Sequence, residues 1–243
     1  MNKNRVLKVV SAALIGLAAI CGTFVIALLP AVAATVCPSC YGLERISATL
    51  IVDRDMSADL RERIQDDAAT AAARVRAFYG EFPIAPTVLA CSTQDCDRRL
   101  GGKGALAVAY SSPFFSVIRV SPAGLNETIL AHEFSHIELS RRIGLYRQLT
   151  GRLPAWFNEG VAVIVSDDRR YLREGQSPQD RCLEDSAGAL PETPFEWAPL
   201  GGRKPEIYAQ AACRVLKWMD ANGGRDGLIG TLDRVGSGFA FVP

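Results

Sequence analysis

Asn126-Glu127-Thr128-Ile129-Leu130-Ala131-His132-Glu133-Phe134-Ser135-His136-Ile137 holds both histidines of this 243-residue chain, four positions apart. Asn126 is a candidate helix cap, Leu125, Ile129, Leu130, Phe134 and Ile137 form one apolar flank, and Gly144 follows the end. Positions i and i+4 share a helix face. The imidazoles of His132 and His136 can therefore converge on one metal ion while Glu133 projects beside them. His132-Glu133-Phe134-Ser135-His136 is the H-E-x-x-H pattern of zinc-binding helices, and a zinc hydrolase is the first reading.

Upstream of this helix the pattern is β-rich. Ser47 to Val52, Thr87 to Cys91, Ala105 to Tyr110 and Phe115 to Val120 read as strands, with Ser111-Ser112-Pro113 as a turn between the last two. One helix interrupts them, capped by Ser57, striped by Leu60, Ile64, Ala68, Ala71, Val75 and Phe78, and ended by Gly80 and Pro83. Downstream, Pro154 suits the first turn of a helix running through Val165, and Glu206 to Asp220 forms another before Asn222-Gly223-Gly224. Asp167 to Lys204, rich in charge, Gly and Pro, reads as loop held by disulfides. Strands first and helices afterwards predict an α+β domain, a small mixed sheet packed on helices.

A catalytic zinc keeps three protein ligands and one open position. With no third histidine, the remaining ligand has to be Asp, Glu or Cys, and Glu159 is the best placed. It lies 23 residues beyond His136, in Leu153-Pro154-Ala155-Trp156-Phe157-Asn158-Glu159-Gly160-Val161-Ala162, on the next helix. An antiparallel helix pair can carry its carboxylate onto the metal opposite the histidines. Zinc lowers the pKa of bound water towards about 7, and Glu133 can accept the water proton and later hand it to a leaving amine. Asn158 is a candidate to orient a ligand or to cap backbone.

The H-E-x-x-H helix followed by Trp156-Phe157-Asn158-Glu159-Gly160-Val161-Ala162 resembles the gluzincin metallopeptidases, in particular the aminopeptidase N type and the small peptidase MA-like proteins. A third block, Tyr208-Ala209-Gln210-Ala211-Ala212-Cys213-Arg214-Val215-Leu216-Lys217-Trp218-Met219, resembles their tyrosine-led helix, and the likeness spans about residues 101–224. The resemblance implies a zincin-like fold, one zinc ion on His132, His136 and Glu159, Glu133 as general base, and Tyr208 as the phenol that stabilises the transition state. Without it, Tyr208 reads as a packing residue at a helix start. Ala105 to Tyr110 is similar to the edge strand along which zincins lay an extended peptide. One departure matters: aminopeptidase N enzymes carry an acidic block there to grip a substrate amine, whereas this chain has Gly104-Ala105-Leu106-Ala107-Val108. An endopeptidase acting on extended peptide or protein substrates is the expectation. A silent zinc-site scaffold and a zinc amidase acting on a cell-envelope substrate are the alternatives.

Lys3, Arg5 and Lys8 precede an uncharged run from Val9 to Leu29, which has the look of an export signal. Its length suits a single spanning helix, so that the chain is anchored in a membrane, while Ala31-Val32-Ala33 also fits signal-peptide cleavage and release. Residues 1–34 are read as anchor or signal and 35–243 as the metallopeptidase domain, on the extracytoplasmic side in either case. Removing Lys3, Arg5 and Lys8 leaves 24 basic against 26 acidic residues, which offers no basic field for nucleic acid. Six cysteines follow the apolar run, and an oxidising compartment pairs them most economically as Cys37 with Cys40, Cys91 with Cys96, and Cys182 with Cys213.

Overall fold

In a computed structural model, which describes residues 28–83, 85–185 and 187–243, the β-rich half forms one five-stranded mixed sheet. Its strands are β1 (Leu43–Arg45), β2 (Leu50–Asp53), β3 (Thr87–Ala90), β4 (Ala107–Ser111) and β5 (Ser116–Val120), in the order β1-β2-β3-β5-β4. The central β2, β3 and β5 run parallel, while β1 and β4 pair antiparallel at the two edges. Period-2 alternation sends Leu50, Val52, Val88, Ala90, Ile118 and Val120 into the main core. Ile51, Leu89 and Val117 point to the other face, which explains why β2 is buried at every position. The hairpin β4–β5 is the turn expected at Ser112-Pro113, whereas β1 was not anticipated.

The second face is covered by α1 (Pro30–Val36), whose Ala31 and Ala34 are fully buried against it, together with Cys91, Cys96 and Leu100. The Ala31-Val32-Ala33 triplet lies inside α1, and the division at residue 34 passes through it. Most of the apolar run from Val9 to Leu29 lies outside the described residues. Among the described residues no helix is long and apolar enough to cross a membrane.

Six longer helices build the other layer: α2 (Ala58–Tyr79), α4 (Glu127–Ile143), α6 (Ala155–Ser166), α8 (Pro194–Gly201), α9 (Glu206–Ala221) and α10 (Gly224–Gly236). Short helices α3 (Gln94–Arg99), α5 (Leu145–Leu149) and α7 (Pro178–Arg181) lie between them. The expected caps form: Ser57 accepts from Leu60 N–H at the start of α2, and Asn126 from Ile129 N–H at 3.0 Å at the start of α4. Helix α6, buried at every position but Glu159, packs between α4 and α9. Gly160 makes the second contact possible, since a Cβ there would sit 2.5 Å from the Ala211 carbonyl oxygen.

The architecture is α+β, as the order of elements indicated. The 167–204 segment is more ordered than its composition implied. Ser177 and Thr193 each form a capping box, which starts α7 and α8 despite the surrounding Gly and Pro. All three expected cysteine pairs are disulfides, an arrangement compatible with an extracytoplasmic location.

Candidate metal centre and cleft

Helix α4 is pinned from behind before it presents anything to the cleft. Ser135, fully buried, exchanges a 2.8 Å hydrogen bond with the Tyr79 hydroxyl of α2. Glu138, also buried, accepts from Arg141 Nε at 2.9 Å and Arg142 Nε at 2.8 Å, and Arg142 donates onward to the Tyr79 carbonyl and to Asp233 of α10. A charge pair this deep holds position only because each lone pair is answered. The opposite side of the same helix carries His132, Glu133 and His136.

His132, His136 and Glu159 form a group that could hold a metal ion, with one ligand atom from each lying within 4.8 Å of the others. Glu159 Oε2 is 3.4 Å from His132 Nε2 and 3.6 Å from His136 Nε2. Bonds of about 2.0–2.1 Å to a tetrahedral ion set ligand atoms roughly 3.3–3.4 Å apart, so the spacing fits. The imidazoles meet nearly edge-on, 4.7 Å between ring centres at 85°.

Asn158, one residue before the carboxylate, fixes a tautomer. His136 Nδ1 lies 3.0 Å from Asn158 Oδ1, and an amide oxygen can only accept. In the neutral imidazole Nδ1 therefore carries the proton, which leaves Nε2, the nitrogen facing Glu159, as the ligating atom. Electrostatics bind the pair together in the metal-free site. Burial alone would lower the His136 pKa, but the Glu159 carboxylate overrides it and raises it to about 9. Burial would likewise raise the Glu159 pKa, yet His136 and His132 hold it down at about 2.

These residues open onto a cleft of about 800 Å³. Glu133, 8% exposed, lines it beside the ligands, and the edge strand β4 borders it through Ala107, Val108 and Ala109. Tyr208, at the start of α9, also lines it, its ring centre 6.3 Å from that of His132. Tyr208 stacks on Tyr171 at 5.1 Å and meets Trp197 edge-on at 5.1 Å. Burial, and then the charge of Glu159, push its pKa well above the ordinary phenol value. All six residues singled out in the sequence, Asn158 included, thus share one cleft. Arg170, Tyr171 and Trp197 line it too and were missed, because nothing in a Gly- and Pro-rich segment marks which side chains fold inward. In comparisons with known proteins, the chain matches no family model, no curated protein and no solved structure.

Proposed function

We propose that the protein is an extracytoplasmic zinc-dependent endopeptidase of the gluzincin type, with a zincin-like fold. The convergence of His132, His136 and Glu159 beside buried Glu133, in a cleft bordered by an edge strand, carries the reading. The donor set of two imidazoles and one carboxylate suits zinc. Three donors, with no fourth joining them among the described residues, fit a catalytic centre better than a closed structural site.

The chemistry that zinc supplies when bound is Lewis acidity at the open position. Glu133, held on the same helix turn as both histidines, takes the proton of the attacking water and delivers it to the leaving amine. The raised pKa of Tyr208 keeps its phenol protonated at neutral pH, so that it donates to the oxygen where negative charge develops. Asn158 holds His136 in the ligating tautomer. The outer edge of β4, which pairs with no other strand among the described residues, offers main-chain groups along which an extended substrate can lie. The lining supports endopeptidase rather than aminopeptidase action. Among the described residues its only carboxylates are Glu133 and Glu159, which leaves none to grip a substrate amine.

The test is hydrolysis of a diverse peptide library by the full chain, with zinc content measured in parallel. Glu133→Gln is expected to retain one zinc per chain and to lose about 10²–10⁴-fold in turnover. Stoichiometric zinc with no cleavage of any peptide, before and after that substitution, would sink the proposal.

A further inference from the structure

Arg170 is the feature of the cleft that the proposed mechanism leaves unused. It reaches the cleft through an unusual turn. Asp167, which ends α6, is the one non-glycine residue with positive φ among those described, at 51°, and it swings the chain back over the helix that carries Glu159. Such a conformation is costly for most side chains and tolerated by Asp. The turn is fastened on both sides. The Asp167 carboxylate accepts from Arg169 and Arg181, and Asp168 N–H donates to the Val163 carbonyl at 3.2 Å.

Asp168 is 1% exposed and takes the side of the guanidinium: Nε donates to its carboxylate at 2.9 Å and Nη2 at 2.5 Å. The guanidinium also lies 5.1 Å over the Tyr171 ring, which in turn stacks on Tyr208. A half-exposed arginine is thereby fixed in direction, with two constraints that an ordinary surface arginine lacks. The fork to Asp168 consumes Nε–H and one Nη2–H. Among the described residues no acceptor engages Nη1. The Nη1/Nη2 edge is thus left, planar and positive, on a residue that lines the cleft.

The rest of the lining agrees in sign. Apart from the ligand group and Glu133, the charged side chains lining the cleft are Arg170 and Lys103, both cationic. We infer that Arg170, framed by Tyr171 and Tyr208, is a carboxylate-binding subsite that selects substrates bearing a carboxylate near the scissile bond. This rests on the peptidase reading for what the subsite serves, though not for whether it binds. Two sources share that chemistry, an acidic side chain and a free C-terminus.

The two sources are separated by peptide pairs offered to the zinc-loaded Glu133→Gln full chain, with binding measured calorimetrically. One series of acetylated, amidated alanine hexapeptides carries Glu at each position in turn, against Gln at the same position. A second, without acidic residues, compares free with amidated C-termini. Losing the carboxylate is expected to weaken binding by about 10- to 100-fold in one series, which identifies the source. Removing Arg170 alone would strand buried Asp168. The preference is therefore measured again in chains that also carry Arg170→Gln with Asp168→Asn, where it should vanish, and Arg170→Lys, where it should shrink as the fork is lost. Thermal melts confirm that both variants are folded. Equal binding within every pair, or a preference that survives Arg170→Gln with Asp168→Asn, overturns the inference. Preference without hydrolysis by the parent chain would keep the subsite and remove the peptidase, and hydrolysis without preference would do the reverse.

Discussion

The two sides of the cleft are built on different principles. The metal side stands on α4 and α6, helices buried along most of their length; Gly160 lets α6 close on α9, and Arg142, braced by Glu138, ties α4 to Tyr79 of α2 and Asp233 of α10. The other side is a return from α6 through Arg170 and Tyr171 together with Trp197 of α8, joined to α9 by the Cys182–Cys213 disulfide. One wall is packed along two whole helices; the other enters the same core through a few side chains, Leu172, Leu190 and Trp197, and adds a few specific ties. The lesson is a division of labour. Where packing is redundant, side chains can be set to the tolerances that a metal demands; where ties are few, the wall can change its chemistry without disturbing the metal.

Cutting the tie is the largest perturbation that separates the two. Cys182 and Cys213 close a loop with a sequence separation of 31, for which chain entropy predicts about 3.7 kcal/mol, or roughly 500-fold in the folding equilibrium. Urea denaturation of Cys182→Ser with Cys213→Ser is expected to show that loss. Metal affinity of the folded chain should be unchanged while any carboxylate preference falls, because Leu172, next to Tyr171, bridges to Cys182. If metal affinity drops in proportion, the two walls are not independent and the contrast fails.

The same difference decides what could be read from the sequence. Helix periodicity, Asn126 at the cap, Pro154 at a first turn and Gly144 after an end located both helices that carry the candidate ligands, since each signal acts within a few residues. His132, His136 and Glu159 followed from those helices. Asn158 was visible as a polar residue beside a ligand, but its partner atom was not. Arg170 and Tyr171 depend on the left-handed Asp167 and on a disulfide that closes across most of the segment, and no local pattern encodes where such a turn points. The capping boxes at Ser177 and Thr193 were legible in principle, as Ser-x-x-Asp and Thr-x-x-Glu, but were masked by the Gly and Pro around them. The zincin resemblance pointed to Tyr208; the residue pattern alone did not.

Within the metal side, Asn158→Ala tests how far packing alone orients His136. Loss of such a partner costs about 10- to 100-fold in metal affinity, and a competition titration against a chelator of known strength reads it. An unchanged affinity would mean that buried α4 and α6 fix the imidazole unaided, which makes the packed wall stiffer still. Fold stability should move far less than in the disulfide variant.

The smallest effect per step is set by protons, and it also belongs to the metal side. Arg170, Tyr171 and Tyr208 are all shifted upward from values already at 10 or above, so none of them titrates between pH 5 and 9. The His136–Glu159 pair does. In the metal-free protein the His136 pKa rises from 6.5 to about 9, so its contribution to stability is fully present below 6.5 and is lost as pH climbs through about 9. The Glu159 pKa falls from 4.5 to about 2, so its contribution is present above 4.5 and is lost as pH drops through about 2. Chelated protein is therefore expected to draw most stability from this pair between about pH 4.5 and 6.5. Metal binding runs the opposite way, because His136 has to release its proton before Nε2 can ligate. Apparent metal affinity should rise roughly tenfold per pH unit from about 6.5 towards 9 and level off above it. A profile flat across that interval, measured by competition titration at constant ionic strength, would mean that Glu159 does not hold a proton on His136. The metal side would then be organised by packing alone.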